Sequence, residues 1–554
     1  MSIYENRPWN NNYPAGIPAN IDPDKYESIV AFYDEVFDRY QDKVAYTYMG
    51  KTLTFKQIDV LSSNFAAYLH SRGLQPGDRI ALMMPNILQY PIVMYGALRA
   101  GLIIVNTNPL YTPREMLHQF KDSGAKAVVI ANMFASKLEE ILDKTEIKVI
   151  LTASMGGMLS TVKGSLVNFV VKRVKKLVPS YTLPNVVTVK EALKVGKKFE
   201  ITPFESKPND TVLLQYTGGT TGVSKGAELT NRNLIANMLQ IEAWMQGMLK
   251  RGSETALCPL PLYHIFAFSV NAMALFSLGI NNVLIPNARD IKGLIKEWKK
   301  HKVSIFDGVN TLFNALTHHP DFSTIDFSTL KITVGGGMAV QRVVADQWFK
   351  ITNNVLSEGY GMTEASPVVT VNPVDGTARI GTIGLPVPST LVRVADENDQ
   401  EVPIGKPGEL QVRGPQVMKG YYNRPDETAK TIRNGWLCTG DIGYMDEDGF
   451  FTLIDRKKDM ILVSGFNVFP NEIEDVIAQN PKVLEVAAIG VPDEKSGEVV
   501  KVFVVKKDDS LDKKELEAYC REQLTGYKVP KHIEFRKDLP KSNVGKILRR
   551  KLRE

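Results

Sequence analysis

The sequence predicts a multidomain α/β protein: a large N-terminal part built from α/β subdomains and a small β-rich one, followed by a small α+β C-terminal domain. Three observations carry this. The chain has 554 residues, far more than one core needs at roughly 150 residues per domain. Through about residue 330, helical and strand-like patterns alternate, the rhythm of largely parallel sheets. After about residue 375 the texture changes to short strand-like runs between Gly, Pro and Asp turns. Hydrophobic residues make up 44% and charged residues 23%, which excludes a disordered chain, a collagen-like fibre and a coiled-coil rod.

Taken in order, Met1–Asn20 is polar and lacks the apolar core of a signal peptide. Thr54-Phe-Lys-Gln57 reads as a capping box opening a helix that runs to Gly73, and a Pro76-Gly77-Asp78 turn leads to a strand at Ile80–Met84. Thr112-Pro113-Arg114-Glu115 is a second capping box, with Pro at the first helical position. Its helix stops near Gly124, and a strand follows at Ala127–Ala131. Later strands are expected at Thr211–Leu214, Lys331–Val334, Asn354–Leu356 and Gly408–Arg413. The last hundred residues hold a helix at Asn471–Gln479, strands at Val486–Ile489 and Val500–Val505, a helix capped by Asp512, and a strand at Ile533–Arg536. The charged run Asp455–Asp459 marks the junction, giving domains of 1–455 and 456–554.

Residues 147–190 contain no acid but seven Lys and Arg. Val162, Leu166, Phe169, Val170, Val174 and Leu177 recur there at helical spacing. A basic amphipathic helix over 160–178 suits peripheral contact with an anionic membrane surface, the inner face of a membrane in particular. The commoner alternative is a solvated helix whose apolar stripe packs on the domain. No stretch reaches the 18 or so apolar residues of a membrane span. Three cysteines (Cys258, Cys438, Cys520) cannot build a disulfide framework, which points to a reducing, cytoplasmic setting. A net charge of +6 is too weak a bias for nucleic-acid binding.

Five segments carry chemistry. Tyr216-Thr-Gly-Gly-Thr-Thr-Gly-Val-Ser-Lys-Gly226 follows a strand and is built to wrap an anion: the glycines let backbone N–H groups approach, and the Thr hydroxyls and Lys225 meet phosphate oxygens. It is not a Walker A loop, because Ser224 precedes the Lys and Gly226 follows it. In Ser357-Glu-Gly-Tyr-Gly-Met-Thr-Glu364, Tyr360 offers a face to a base and Glu364 a hard oxygen to Mg²⁺. Gly335-Gly-Gly-Met338 fits close approach to a flat ligand, or equally a plain strand–helix turn. Asp441, Arg456 and Ser464-Gly-Phe-Asn-Val468 form a fourth group, with Asp441 suited to a ribose and Arg456 to a phosphate. Pro540-Lys-Ser-Asn-Val-Gly-Lys546 is the fifth, a Gly-containing loop ahead of a basic tail.

In this order, and over residues 25 to 550, these segments resemble the core motifs of the adenylate-forming superfamily of acyl-CoA synthetases, luciferases and adenylation domains. Gly101–Glu115 and Asn434–Val476 are most similar to bacterial long-chain fatty-acid–CoA ligases. The resemblance implies the adenylate-forming fold with a mobile C-terminal domain, and ATP-dependent joining of a fatty acid to coenzyme A through an acyl-adenylate, with Mg²⁺ as cofactor. It implies that Thr217, Gly218, Gly219, Thr220, Thr221, Gly222 and Lys225 hold the β- and γ-phosphates. Tyr360 would stack on adenine beside Gly335, Gly336, Gly337 and Gly361. Thr363 would touch the α-phosphate, Glu364 would hold Mg²⁺, Asp441 would bind the ribose, and Arg456 would reach the ribose or phosphates. Lys546 would bridge the attacking carboxylate and the α-phosphate, offsetting the repulsion of two anions. His264 would stand at the mouth of an acyl site lined by Gly336 and gated by Phe268. Lys458 would be the hinge, and Ser464, Gly465 and Phe466 would turn towards CoA.

Two departures from the family pattern stand out. Ser224 replaces a common Pro, and Met460-Ile-Leu-Val lacks a Lys. The chain ends soon after the Lys546 loop, which favours free CoA over a fused carrier as acceptor. Three other readings remain open: an aryl- or medium-chain acyl-CoA ligase, a fatty acyl-AMP ligase, and a non-catalytic fatty acid binding or uptake module. Oligomeric state stays open, a homodimer included.

Overall fold

In the computed structural model, which describes residues 2–217, 224–493, 495–542 and 544–553, the strands sort into four sheets. An eight-stranded sheet has parallel pairs through Arg79–Met83, Ile103–Asn106, Ala125–Ala131, Val149–Ala153 and Thr211–Thr217. Antiparallel to its last member runs Lys225–Thr230, so most of the Gly- and Thr-rich motif falls in sequence between these two strands. A nine-stranded sheet is parallel through Thr255–Cys258, Ile305–Gly308, Ile332–Gly335 and Leu356–Gly361. One continuous core takes side chains from both large sheets. The helix Gln89–Arg99 is buried from Gln89 to Leu98, as expected of an element enclosed on all sides.

The capping signals operate as read. Gln57 N–H donates to Thr54 Oγ1 at 3.2 Å while Thr54 N–H donates back to Gln57 Oε1 at 3.0 Å, opening the helix Phe55–Ser71. Thr112 and Glu115 do the same for Pro113–Ser123, which ends at Gly124 with a left-handed φ of 60°. The strand expected at Asn354–Leu356 instead starts at Leu356 and runs to Gly361. Tyr360 therefore lies within the strand, whose end pairs with Val368–Val371.

Leu391–Ala395, Gly408–Arg413, Trp436–Met445 and Phe451–Arg456 form an antiparallel third sheet. The fourth begins at Ile461, with Gly497–Lys506 at its centre, pairing with both Val483–Asp493 and His532–Arg536, and it has a core of its own under the helices Pro470–Ala478 and Lys513–Gln523.

The basic stretch forms the helix Thr161–Phe169, continued by the wider turn Val170–Val174. Its apolar stripe does not pack on the domain: Val162 is 83% exposed, Leu166 61%, Phe169 58% and Val174 64%. The helix docks through a different face. A Cβ on Gly164 would meet the Gly156 carbonyl at 2.5 Å, and Asn168 Oδ1 accepts from Gly156 N–H at 2.9 Å.

Candidate active site

The carboxyl ends of the strands in the two large sheets, the third sheet and the fourth enclose one cavity of about 1280 Å³. On its polar side, Tyr360 donates its hydroxyl to Asp441 Oδ2 at 2.7 Å. Asp441 stands opposite Arg456 in the strand pairing, and Arg456 Nε lies 3.3 Å from its Oδ1. Asp441 is buried, so both carboxylate oxygens are satisfied inside the wall, and the Tyr360 ring is fixed in orientation. Burial, then the neighbouring Asp441, pushes the Tyr360 hydroxyl well above its usual range, which keeps it a donor.

Beyond Tyr360 the short turn Thr363–Ala365 presents Glu364. Tyr421 donates its hydroxyl to Glu364 Oε1 at 2.7 Å. The Tyr421 ring also carries Lys225, whose Nζ lies 4.4 Å from the ring centroid and 2.8 Å from Glu427 Oε2. A cation and a carboxylate, 139 residues apart in sequence, are thus set on one aromatic side chain. The glycine floor has a steric reason: a Cβ at Gly336 would stand 3.0 Å from the Phe266 ring and 3.2 Å from the Gly359 carbonyl.

Lys546 arrives from the other domain. Its loop closes on itself, with Ser542 N–H donating to the Lys546 carbonyl at 2.7 Å. Thr311 Oγ1 donates to the Gly545 carbonyl at 2.9 Å, and Arg289 Nη2 to the Ser542 carbonyl at 3.3 Å. Gly545 has φ 82°, a conformation that glycine adopts without strain. Burial in the cleft, then the nearby Arg456 charge, lowers the Lys546 ammonium to about 7. Burial, then Lys546, lowers His264 to about 4, so the ring is neutral. His264 Nδ1 accepts from Phe266 N–H at 3.4 Å, which leaves the proton on Nε2.

Across the junction, Arg549 meets Asp455 at 3.3 Å, Glu474 at 2.8 Å and Asn471 Oδ1 at 2.6 Å. Asp459 pairs with Arg553 at 3.0 Å.

Of the residues singled out in the sequence, Thr217, Lys225, His264, Gly336, Gly337, Tyr360, Gly361, Thr363, Glu364, Asp441, Arg456, Lys458 and Lys546 line this cavity. Gly335 lies behind the wall, where a Cβ would strike Val340 and Leu356. Phe268 is 1% exposed in the core and off the cavity; Phe266 lines it instead. Two residues along a helical turn point to nearly opposite sides, so only one of these two rings faces the opening. Ser464, Gly465 and Phe466 stand outside the cavity at the tip of the hairpin Ile461–Val468, with Phe466 stacked on Tyr527 at 4.7 Å. Gly218, Gly219, Thr220, Thr221 and Gly222 lie outside the described residues.

Sequence reasoning missed Tyr421, Glu427 and Thr311, none of which sits in a recognisable motif. It read Arg549 only as part of a basic tail, since its acidic partners are 75 to 94 residues away.

The AMP-binding enzyme family matches residues 33–422, and the AMP-binding enzyme C-terminal domain matches residues 472–546. The chain belongs to the AMP-binding enzymes. Within them it is 55% identical over 547 residues to a long-chain-fatty-acid–CoA ligase of Escherichia coli O6:H1, covering 99% of this chain and 98% of that protein. Among solved structures, ATP-bound MatB from Rhodopseudomonas palustris is 27% identical with a TM-score of 0.81, covering 95% of this chain and 98% of the other. The anthranilate CoA ligase AuaEII with anthranoyl-AMP shares the fold at a TM-score of 0.86 and 24% identity, covering 96% and 98%. The adenylate-forming fold expected from the sequence is therefore the fold of this AMP-binding enzyme.

Proposed function

We propose that this AMP-binding enzyme is a long-chain fatty-acid–CoA ligase that uses the one cavity for both half-reactions. The observation that carries the reading is the meeting of Lys546 with the Tyr360–Asp441–Arg456 group at the head of an apolar wall that includes Ile241, Trp244, Val270, Ile305 and Val334. The full-length likeness to long-chain-fatty-acid–CoA ligases supports the substrate class.

Tyr360 and Asp441 hold the nucleoside, and Lys225, freed from Glu427, takes phosphate oxygens. The fatty acid carboxylate attacks the α-phosphorus and expels pyrophosphate. Lys546, charged once the anions arrive, lies between the two like charges, and His264 donates Nε2–H to an oxygen of the acid. Catalysis then consists of positioning and charge neutralisation. Among the described residues no cluster of three or more His, Cys, Asp or Glu forms a metal cage. Glu364 on the cavity wall nevertheless fits Mg²⁺, which is commonly held by one or two carboxylates and the substrate's phosphates. Held by Glu364, Mg²⁺ would add further neutralisation of phosphate charge.

CoA thiolate next attacks the acyl carbon and AMP leaves. For this step the domain 456–554 turns about Lys458, withdrawing Lys546 and bringing Ser464–Phe466 to the cavity. The exposed stripe on Thr161–Val174, flanked by Lys172, Arg173, Lys175 and Lys176, rests on an anionic membrane surface from which long-chain acids are drawn.

The test separates the halves. Lys546→Ala lowers ATP- and acid-dependent pyrophosphate release by about 10²–10³-fold, while thioester formation from supplied acyl-adenylate and CoA stays within a few-fold of normal. Equal loss in both assays contradicts the role. Release of acyl-adenylate without thioester when CoA is added to the unaltered protein contradicts the ligase reading itself.

A further inference from the structure

An acid stands among the apolar lining residues of the cavity. Asp307 lies on the strand Ile305–Gly308 and lines the wall together with Ile305, two residues away and so on the same face of the sheet. Its strand partners are Val334 opposite Asp307 and Ile332 opposite Ile305, both lining residues. Val270 and Leu275, from the helical segment Phe268–Leu275, face the same space. Nothing in the adenylation chemistry uses an acid here.

The carboxyl is only partly satisfied. Asn271 Nδ2 donates to Asp307 Oδ1 at 3.0 Å and also approaches Asn282 Oδ1 at 3.3 Å. Asp307 Oδ2 has no hydrogen-bond partner among the described residues, and neither has Asn271 Oδ1. Asp307 is 1% exposed. Burial pushes its carboxyl up to about 7, so near neutrality a large share is protonated and able to donate as well as accept. A buried polar atom left unpaired is costly, and the cost is relieved when a ligand supplies the missing partner.

We infer that Asp307 recognises a hydroxyl group carried within the acyl chain, so that the protein favours hydroxylated long-chain acids over their unsubstituted counterparts. The inference rests on the fatty-acid–CoA ligase reading. Its position along the wall decides which hydroxyl. One residue further on, Gly308 pairs with Gly335, next to the glycine floor at the nucleotide end. In the other direction, Ile305 and Ile332 continue the apolar wall. The hydroxyl therefore sits inside the chain rather than at its far end. A purely apolar tunnel rejects an added hydroxyl only modestly, whereas a site built to bond a hydroxyl discriminates strongly against the analogue lacking it.

The experiment compares kcat/KM for thioester formation from hexadecanoic acid, a mid-chain hydroxyhexadecanoic acid and the terminal hydroxy acid. The unaltered protein is expected to favour the mid-chain hydroxy acid over the other two by about tenfold or more. Asp307→Leu is expected to abolish that preference by lowering the hydroxy acid alone. Asp307→Asn, which keeps the shape and a hydrogen-bonding head, falls between them and serves if the Leu variant does not fold. Absence of the preference in the unaltered protein, or an equal fall for all acids in both variants, overturns the inference and leaves Asp307 as part of a structural knot with Asn271 and Asn282. Failure to form any thioester from the three acids would sink the ligase reading instead.

Discussion

The chemistry of single residues here is set by what encloses them. Lys546 and His264 share one enclosure, and each is pushed towards its neutral form by burial before any charge acts on it. For His264 this has a consequence for stability. Its folded-state pKa, about 4, lies below the unfolded value of about 6.5. Between these values the unfolded chain binds more protons, so stability is present above about pH 6.5 and is lost as the pH falls towards 4. His264→Gln should therefore lose less stability than the unaltered protein between pH 7 and pH 5, read as the shift in urea midpoint at the two pH values. An identical shift in both proteins would show that His264 is not the group responsible. Asp441 illustrates the opposite case: it was legible as a ribose-binding candidate, yet its fixed geometry comes from Tyr360 and Arg456, placed by two other strands.

At the scale of elements, the helix Thr161–Phe169 departs furthest from the ordinary rule. Helices usually hide their apolar stripe; this one docks through Gly164 and Asn168 and leaves Val162, Leu166 and Phe169 facing out. Two forces follow from that surface. In the membrane role proposed above, the four cations would draw it to anionic lipid over a Debye length, and the apolar stripe would hold it there by burial. Neutralising Lys172, Arg173, Lys175 and Lys176 to Gln should reduce binding to vesicles of anionic lipid at low salt, with little change at high salt. Phe169→Ser should reduce it at both. Because these side chains are exposed, thermal midpoints should move little. Unchanged vesicle sedimentation in both variants would remove the membrane role.

Contacts among the described residues hold the two domains in this arrangement. Loop 542–546 is pinned by Thr311 and Arg289, and Asn314 Nδ2 donates to the Leu484 carbonyl at 3.0 Å. Arg549 spans the junction, tying Asp455 at the end of the third sheet to Glu474 of the small domain. Asp455 is almost fully buried, and burial raises its carboxyl against the pull of Arg549. Arg549→Met leaves two carboxyl groups without their cation. It should cost about 3 kcal/mol of stability, more at pH 8 than at pH 5 because the carboxylates are then ionised. It should also slow adenylation more than thioester formation from supplied acyl-adenylate. A melting curve and half-reaction rates equal to those of the unaltered protein would show that the Arg549 ion pairs do not secure this arrangement.

Much of this was legible without coordinates, for physical reasons that differ by feature. Capping boxes at Thr54 and Thr112 are local, since both partners lie within four residues and form the same bonds in any surroundings. The Gly, Thr and Lys run of 216–226 and the Lys546 loop are expected to bind anions from residue type alone. The order of these motifs over the chain carried the family and the two-part fold. What only the tertiary structure decided depends on direction and distance. Phe266 rather than Phe268 lines the cavity because helical geometry turns one of them away. Tyr421 serves both Glu364 and Lys225 because its strand pairs with Lys225–Thr230 and the turn Thr363–Ala365 meets it there. Arg549 has its partners 75 residues and more away, and Asp307 reads in sequence as one acid in a strand. Its unpartnered oxygen, in a residue that lines the cavity with Ile305, Val334 and Val270, exists only once the sheet and the helical segment have closed.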